Sequence, residues 1–221
     1  MRTLADLTHT DDPAWPLVQQ WVADAPSVQV LPAERSRADA ALLQLQVTLR
    51  SPMGAIVHHT GGLLIDHGWL RVLGSGSAQM TRSLPGWNSG KAPVDANGRP
   101  TFLLVADDVL GGLFAVNGGA FGEKLGEVSY LAPDTLQWES LSMGYTGFLA
   151  WALSLRLGEF YSDLRWPHWQ DEVSTLSSDQ AISVYPFLWA KGPPLDQRSR
   201  KNVPMDELFR LTMDTQQQLF P

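Results

Sequence analysis

Residues 101–119, TFLLVADDVLGGLFAVNGG, constrain the folding of this 221-residue chain more than any other stretch. An apolar run from Phe102 to Ala106 ends in Asp107-Asp108, Gly111-Gly112 follows, and a second run, Leu113 to Val116, ends in Asn117-Gly118-Gly119. Short apolar runs bounded by turn residues read as neighbouring strands. Both are too continuous to be half-solvated, which places them in the middle of a sheet. Gly111, Gly112, Gly118 and Gly119 supply the backbone freedom that tight turns need. Neighbouring carboxylates can share a proton or hold a hard cation, so Asp107 and Asp108 are the first candidates for chemistry. Successive strand side chains point to opposite faces, however, so the two do not converge if the strand runs through both. The plainer expectation is that they end a strand and accept backbone hydrogen bonds in a turn.

The flanking segments supply helices and further strands. Asp12-Pro13 marks a helix start, with Leu17, Val18, Trp21, Val22 and Ala25 as its apolar stripe. Ser27 to Leu31 is extended, and Ser36 with Asp39 resembles a capping box ahead of Ala38, Ala41, Leu42 and Leu45. Ser51-Pro52 opens another helix, which Gly61-Gly62 is expected to stop. Leu63 to Ile65 and Trp69 to Leu73 form a hairpin across Asp66-His67-Gly68. Gly74-Ser75-Gly76-Ser77 lacks the third glycine of a dinucleotide fingerprint and reads as a loop. Residues 80–100 are turn-rich, and a loop of that length is often functional, which makes Trp87 a candidate contact residue. Glu127 to Leu131 and Thr135 to Glu139 read as partner strands, and Tyr145 to Leu157 as a helix burying Phe148, Leu149, Ala152 and Leu155. Trp166 and Trp169 flank an aromatic break before a short helix carrying Val173 and Leu176. Ser183 to Ala190, with Pro186 inside, reads as an edge strand or covering segment. Residues 193–202 read as a loop, and a C-terminal helix carries Met205, Leu208, Phe209 and Thr212.

Composition narrows the function classes. A net charge of −7, with Arg198, Arg200 and Lys201 as the one short basic cluster, argues against a nucleic-acid footprint. The absence of cysteine excludes disulfides and thiolate metal sites and fits a reducing compartment. Neither a secretory leader nor an apolar run of about 18 residues is visible, so a cytoplasmic protein without a membrane segment is expected. His58 and His59 are adjacent on a helix and diverge, whereas a helical metal pair favours i, i+4 spacing; no metal and no cofactor are expected. Nine tryptophans serve mainly core packing, with Trp87, Trp166 and Trp169 kept as candidates for a binding surface.

The segment from Phe102 to Leu153 carries a longer pattern: the acidic strand end at Asp107-Asp108, Gly111-Gly112, LFAV, Asn117-Gly118-Gly119, then Gly126-Glu127-Val128-Ser129-Tyr130, Trp138-Glu139 and GYTGFLAWAL. This pattern resembles the core of the SUKH superfamily. Many bacterial members of that superfamily are immunity proteins that bind and neutralise toxins, and fungal relatives regulate cell-wall synthesis. The segments Asp12 to Val18, Arg50 to Ala55, Thr60 to Asp66 and Tyr185 to Trp189 resemble a bacterial domain-of-unknown-function family, number 2625, which carries no established activity.

An α+β fold follows as the expectation: one domain, a mixed or antiparallel SUKH-like sheet at about residues 63–157, flanking helices, and a C-terminal extension over 158–221. Two functional expectations stand. The first is a non-catalytic protein-binding module, toxin-neutralising by resemblance, whose acidic balance suits a basic partner. Its candidate residues are Asp107, Asp108, Gly111, Gly112, Asn117, Gly118, Gly119, Trp87, Trp166 and Trp169. The second is an enzyme or small-ligand binder using Asp107 or Asp108 with His58 or His67. It requires those side chains to meet at one cavity.

Overall fold

Seven antiparallel strands form a meander in which sequence neighbours are also spatial neighbours: β1 (Val28–Pro32), β2 (Thr60–Ile65), β3 (Leu70–Leu73), β4 (Phe102–Asp108), β5 (Leu113–Asn117), β6 (Glu127–Leu131) and β7 (Trp138–Gly144). The computed structural model describes residues 1–220. β4 is the central strand, as its unbroken apolar run requires, and β5 lies beside it. The class is α+β and the large sheet is antiparallel throughout.

Register assigns each side chain to a face. Leu70 stands opposite Asp108, and Ala106, Phe114 and Tyr130 continue that face. It is covered by α6 (Tyr145–Ala152), whose Phe148 ring lies 5.1 Å from Phe114. Arg71 stands opposite Asp107 on the other face, with Leu113 and Leu131. That face is covered by a two-stranded ribbon, β8 (Gln180–Tyr185) with β9 (Ser199–Pro204), and by α9 (Met205–Leu219). The Ile182 N–H donates to the Val109 carbonyl at 2.7 Å, which ties the ribbon to the β4–β5 turn.

The remaining helices pack before and between these elements: α1 (Leu4–Thr8), α2 (Trp15–Asp24), α3 (Arg35–Leu45), α4 (Pro52–His59), α5 (Leu84–Asn88), α7 (Arg156–Phe160) and α8 (Trp169–Ser174). Ser51 caps α4 as expected, its hydroxyl accepting from the Gly54 N–H at 3.0 Å. The Asp66–Gly68 turn also forms as expected, with φ of 53°, 59° and 87° along it.

Several sequence expectations need correction. α2 begins at Trp15 after Ala14, and of its expected stripe only Val18 is fully buried, while Leu17 faces solvent. Ser36 is no cap, because α3 starts one residue earlier behind Glu34. Gly61 and Gly62 do not stop α4 but lie inside β2, where close backbone packing leaves no room for side chains. Residues 80–100 contain α5, capped by Ser83. The helix expected over 145–157 breaks at Leu153, leaving Leu155 exposed. β7 starts at Trp138, three residues past Thr135, and β9 occupies part of the supposed 193–202 loop. The large sheet begins at Val28, well before residue 63, and a single hydrophobic core runs from Leu7 to Phe209.

Candidate functional site

Asp107 and Asp108 are both fully buried, and β4 sends them to opposite faces. Pairing of β3 with β4 sets Arg71 across from Asp107, with Arg71 Nε 2.8 Å from Asp107 Oδ1. Arg82, from the loop before α5, binds the same carboxylate through both terminal nitrogens, Nη1 contacting Oδ2 and Nη2 lying 3.3 Å from Oδ1. The guanidiniums then reach outward. Arg71 donates to the carbonyls of Asp108 at 2.8 Å and of Gln180, and Arg82 donates to the Ser178 carbonyl at 2.8 Å and to Asp179 at 3.2 Å. Asp179 also accepts from the Thr81 N–H and hydroxyl at 2.8 and 2.7 Å.

The electrostatics follow from burial and pairing. Burial pulls the Arg71 pKa below the usual arginine value against the opposing pull of Asp107. At Arg82 burial acts in the same direction, but Asp107 and Asp179 together outweigh it, so its pKa is raised. Burial would raise Asp179, yet hydrogen bonds from Thr81 and the charge of Arg82 hold it below the ordinary carboxylate value. The arrangement is a chain of alternating charge, Arg71–Asp107–Arg82–Asp179, that staples the β8 segment to the sheet.

Asp108 is held by neutral donors instead. Its Oδ1 accepts from the N–H groups of Leu110 and Gly112, each at 2.9 Å. Its Oδ2 accepts from the hydroxyls of Tyr130 at 2.9 Å and Tyr161 at 3.0 Å. Burial raises the Asp108 pKa, with the four donors opposing. Burial and the adjacent carboxylate also push both phenols well above their ordinary value. Gly112 is required here: a Cβ would sit 2.1 Å from Asp108 Oδ2 and 2.6 Å from the Tyr130 hydroxyl. Gly111 turns the chain at φ 90°.

The other sequence candidates lie elsewhere. Asn117 organises the loop after β5: its Oδ1 accepts from Gly119 and Phe121, and its amide donates to the carbonyls of Gly122 and Lys124. Gly118 donates to the Thr101 carbonyl in the same loop. Trp87 is buried in α5 beneath Arg82 and Lys91 and against Phe209, so it pins its segment down. Trp166 donates its indole N–H to Glu172 at 2.9 Å under the Arg200 guanidinium. Trp169 packs on Trp69 with Arg165 over its ring. His58, on α4, has its Nε2 3.6 Å from Asp39 Oδ1 on α3, beyond hydrogen-bond reach, and His67 is exposed at the β2–β3 turn beside Trp169. Asp107, Asp108, His58 and His67 therefore share no cavity. Among the described residues no three His, Asp or Glu side chains form a metal-holding group, and no helix is long and apolar enough to cross a membrane.

Sequence reasoning missed Arg71, Arg82, Asp179, Tyr130 and Tyr161 as partners of the two aspartates. One signal was present: Arg71 is a charge inside the apolar run Trp69 to Leu73, and a charge in a buried strand requires a counter-charge. Two clefts open near this region. One, of about 260 Å³, is lined by Ser27, Gln29, His67 and Ser174 among others and reaches Arg71. The other, of about 190 Å³, is mainly apolar and lies between Pro26, Ile65, Ala152, Leu157 and Arg165.

The chain is similar to two bacterial proteins over nearly its whole length. It is 46% identical over 217 residues to the putative uncharacterized protein YbfG of Escherichia coli (strain K12), spanning 96% of this chain and 95% of that one. It is 39% identical over 212 residues to an uncharacterized protein of Haemophilus influenzae (strain ATCC 51907 / DSM 11121 / KW20 / Rd), spanning 95% and 93%. The family described as "Protein of unknown function DUF2625" matches residues 4–208, which takes in the sheet, the β8–β9 ribbon and the start of α9. The chain belongs to the DUF2625 family.

Proposed function

We propose that this chain is a non-catalytic protein-binding module of the bacterial cytoplasm, with a SUKH-like core and a toxin-neutralising role. The observation that carries this reading is how the central charged groups are used. Arg71, Arg82, Asp107 and Asp108 are buried, and each bonds to other groups of the fold. They serve as staples that hold the ribbon and the turn to the sheet. Recognition then falls to the outer surface. Tyr185 is 66% exposed there, next to the stacked rings of Phe187 and Trp189. Aromatic anchors of this kind are enriched at protein interfaces. The net charge of −7 favours a basic partner, with attraction that speeds encounter and fades with added salt.

The test is co-expression with toxins encoded beside family members. Growth rescue together with a salt-sensitive complex supports the reading. Absence of rescue and of any complex with every such toxin removes it.

A further inference from the structure

Arg165 is held on three sides before any ligand is considered. Asp66 takes its Nη2, and its guanidinium lies 4.3 Å from the Trp169 ring centroid and 5.4 Å from that of Trp69. Its Nε is buried and has no acceptor among the described residues. Its Nη1 lies beside Gly158, where an added Cβ would stand 3.6 Å away. Arg165 lines the cleft of about 190 Å³, whose walls are mainly the apolar Pro26, Ile65, Ala152, Leu155 and Leu157, with Ser27, Ser154 and the Asp66 carboxylate as polar members. Leu155, 77% exposed where the helix breaks between α6 and α7, forms a lip.

A rigid arginine with its Nη1 unspent, set in a mainly apolar cleft, is the arrangement that recognises a small ligand by one polar group and one apolar body. The geometry points to a binding site for a compact carboxylate whose ring or branched chain has about six carbons, since a dry cavity of ~150 Å³ already accepts benzene. The carboxylate accepts from Arg165 Nη1, while Nη2 stays with Asp66. The hydrocarbon lies against Ile65, Ala152 and Leu157. Asp66 and the two tryptophans keep the guanidinium in place, so little side-chain freedom is lost on binding. This site is independent of the protein-binding surface and stands or falls separately from it.

The experiment titrates the full chain with benzoate and, in parallel, with the neutral benzamide. It follows the indole N–H resonances of Trp69 and Trp169 by NMR, because both rings touch Arg165. Expected are saturable shifts with benzoate and binding of benzamide about tenfold weaker or less, the difference a charge-assisted hydrogen bond makes. Gly158→Leu fills the cleft beside Arg165 Nη1, which its Cβ alone would meet at 3.6 Å, and abolishes the shifts, and Arg165→Gln equalises the two ligands. If Arg165→Gln fails to fold, Gly158→Leu decides alone. Equal binding of benzoate and benzamide, shifts that never saturate, or unchanged benzoate binding by Gly158→Leu overturns the proposal.

Discussion

Asp107 and Asp108 are neighbours in sequence and equally buried, yet they are held in different ways. Two arginine charges hold Asp107 on one face of the sheet, and two backbone N–H groups and two phenols hold Asp108 on the other. The pleat makes this separation unavoidable, since consecutive strand residues cannot share a face. It teaches that a buried carboxylate needs full satisfaction but not necessarily a counter-charge. The ionic solution ties the β8 segment to the sheet, because Arg71 and Arg82 both reach Ser178. The neutral solution ties the β4–β5 turn to Tyr161, from the segment after α7.

The two arrangements should break differently. Asp107→Ala strips the fully enclosed Arg71 of its carboxylate partner and leaves Arg82 with Asp179 alone, and is expected to cost about 3–5 kcal/mol, as breaking a buried ion pair does. Urea unfolding would show this as a large fall in midpoint, and a loss under 1 kcal/mol would mean that water reaches the arginines.

The next effect is a pH dependence of opposite sign on the two faces. Asp108 has a raised pKa in the fold, so between the ordinary carboxylate value and that raised value the folded chain holds more protons than the unfolded one. Stability from Asp108 is therefore lost as pH rises through that window, and wild type should lose ground to Asp108→Asn over the same range. Asp179 is lowered, so its contribution is present above the ordinary carboxylate value and is lost as pH falls through its folded pKa. Denaturation midpoints of wild type, Asp108→Asn and Asp179→Asn across pH separate the two slopes. Parallel curves for wild type and Asp108→Asn would refute the assignment.

A smaller loss is expected from Tyr161→Phe, which removes one of four donors to Asp108 and should cost about 1 kcal/mol. In the Asp108→Asn background its cost should shrink, because the two groups share one bond. Smallest of all is Arg35→Ala. Its pair with Asp39 is an exposed i, i+4 contact, expected to contribute about 0.3 kcal/mol and to vanish in high salt.

Much of the fold was legible locally. The β4–β5 pair, the β2–β3 hairpin, the Ser51 cap and the start of α9 each rest on signals within a few residues. β9 was missed because SRKNVP has no apolar alternation, and α5 because its proline and glycine read as turn punctuation. The site was legible only by half. The opposite facing of Asp107 and Asp108 follows from strand geometry alone. Their partners do not, because Arg82 lies 25 residues from Asp107 and Tyr161 lies 53 from Asp108, so tertiary packing alone brings them together.

The most direct single measurement compares Asp107→Asn with Asp108→Asn, two isosteric changes at adjacent positions, by urea unfolding at neutral pH. At Asp108 the amide oxygen still accepts from Leu110 and Gly112, and the two hydroxyls can turn to accept from the amide, so about 1–2 kcal/mol should be lost. At Asp107 the arginines lose their buried counter-charge, and the loss should exceed the other by about 2 kcal/mol. Equal losses, or a greater loss at Asp108, would mean that charge does not distinguish the two faces of the central strand.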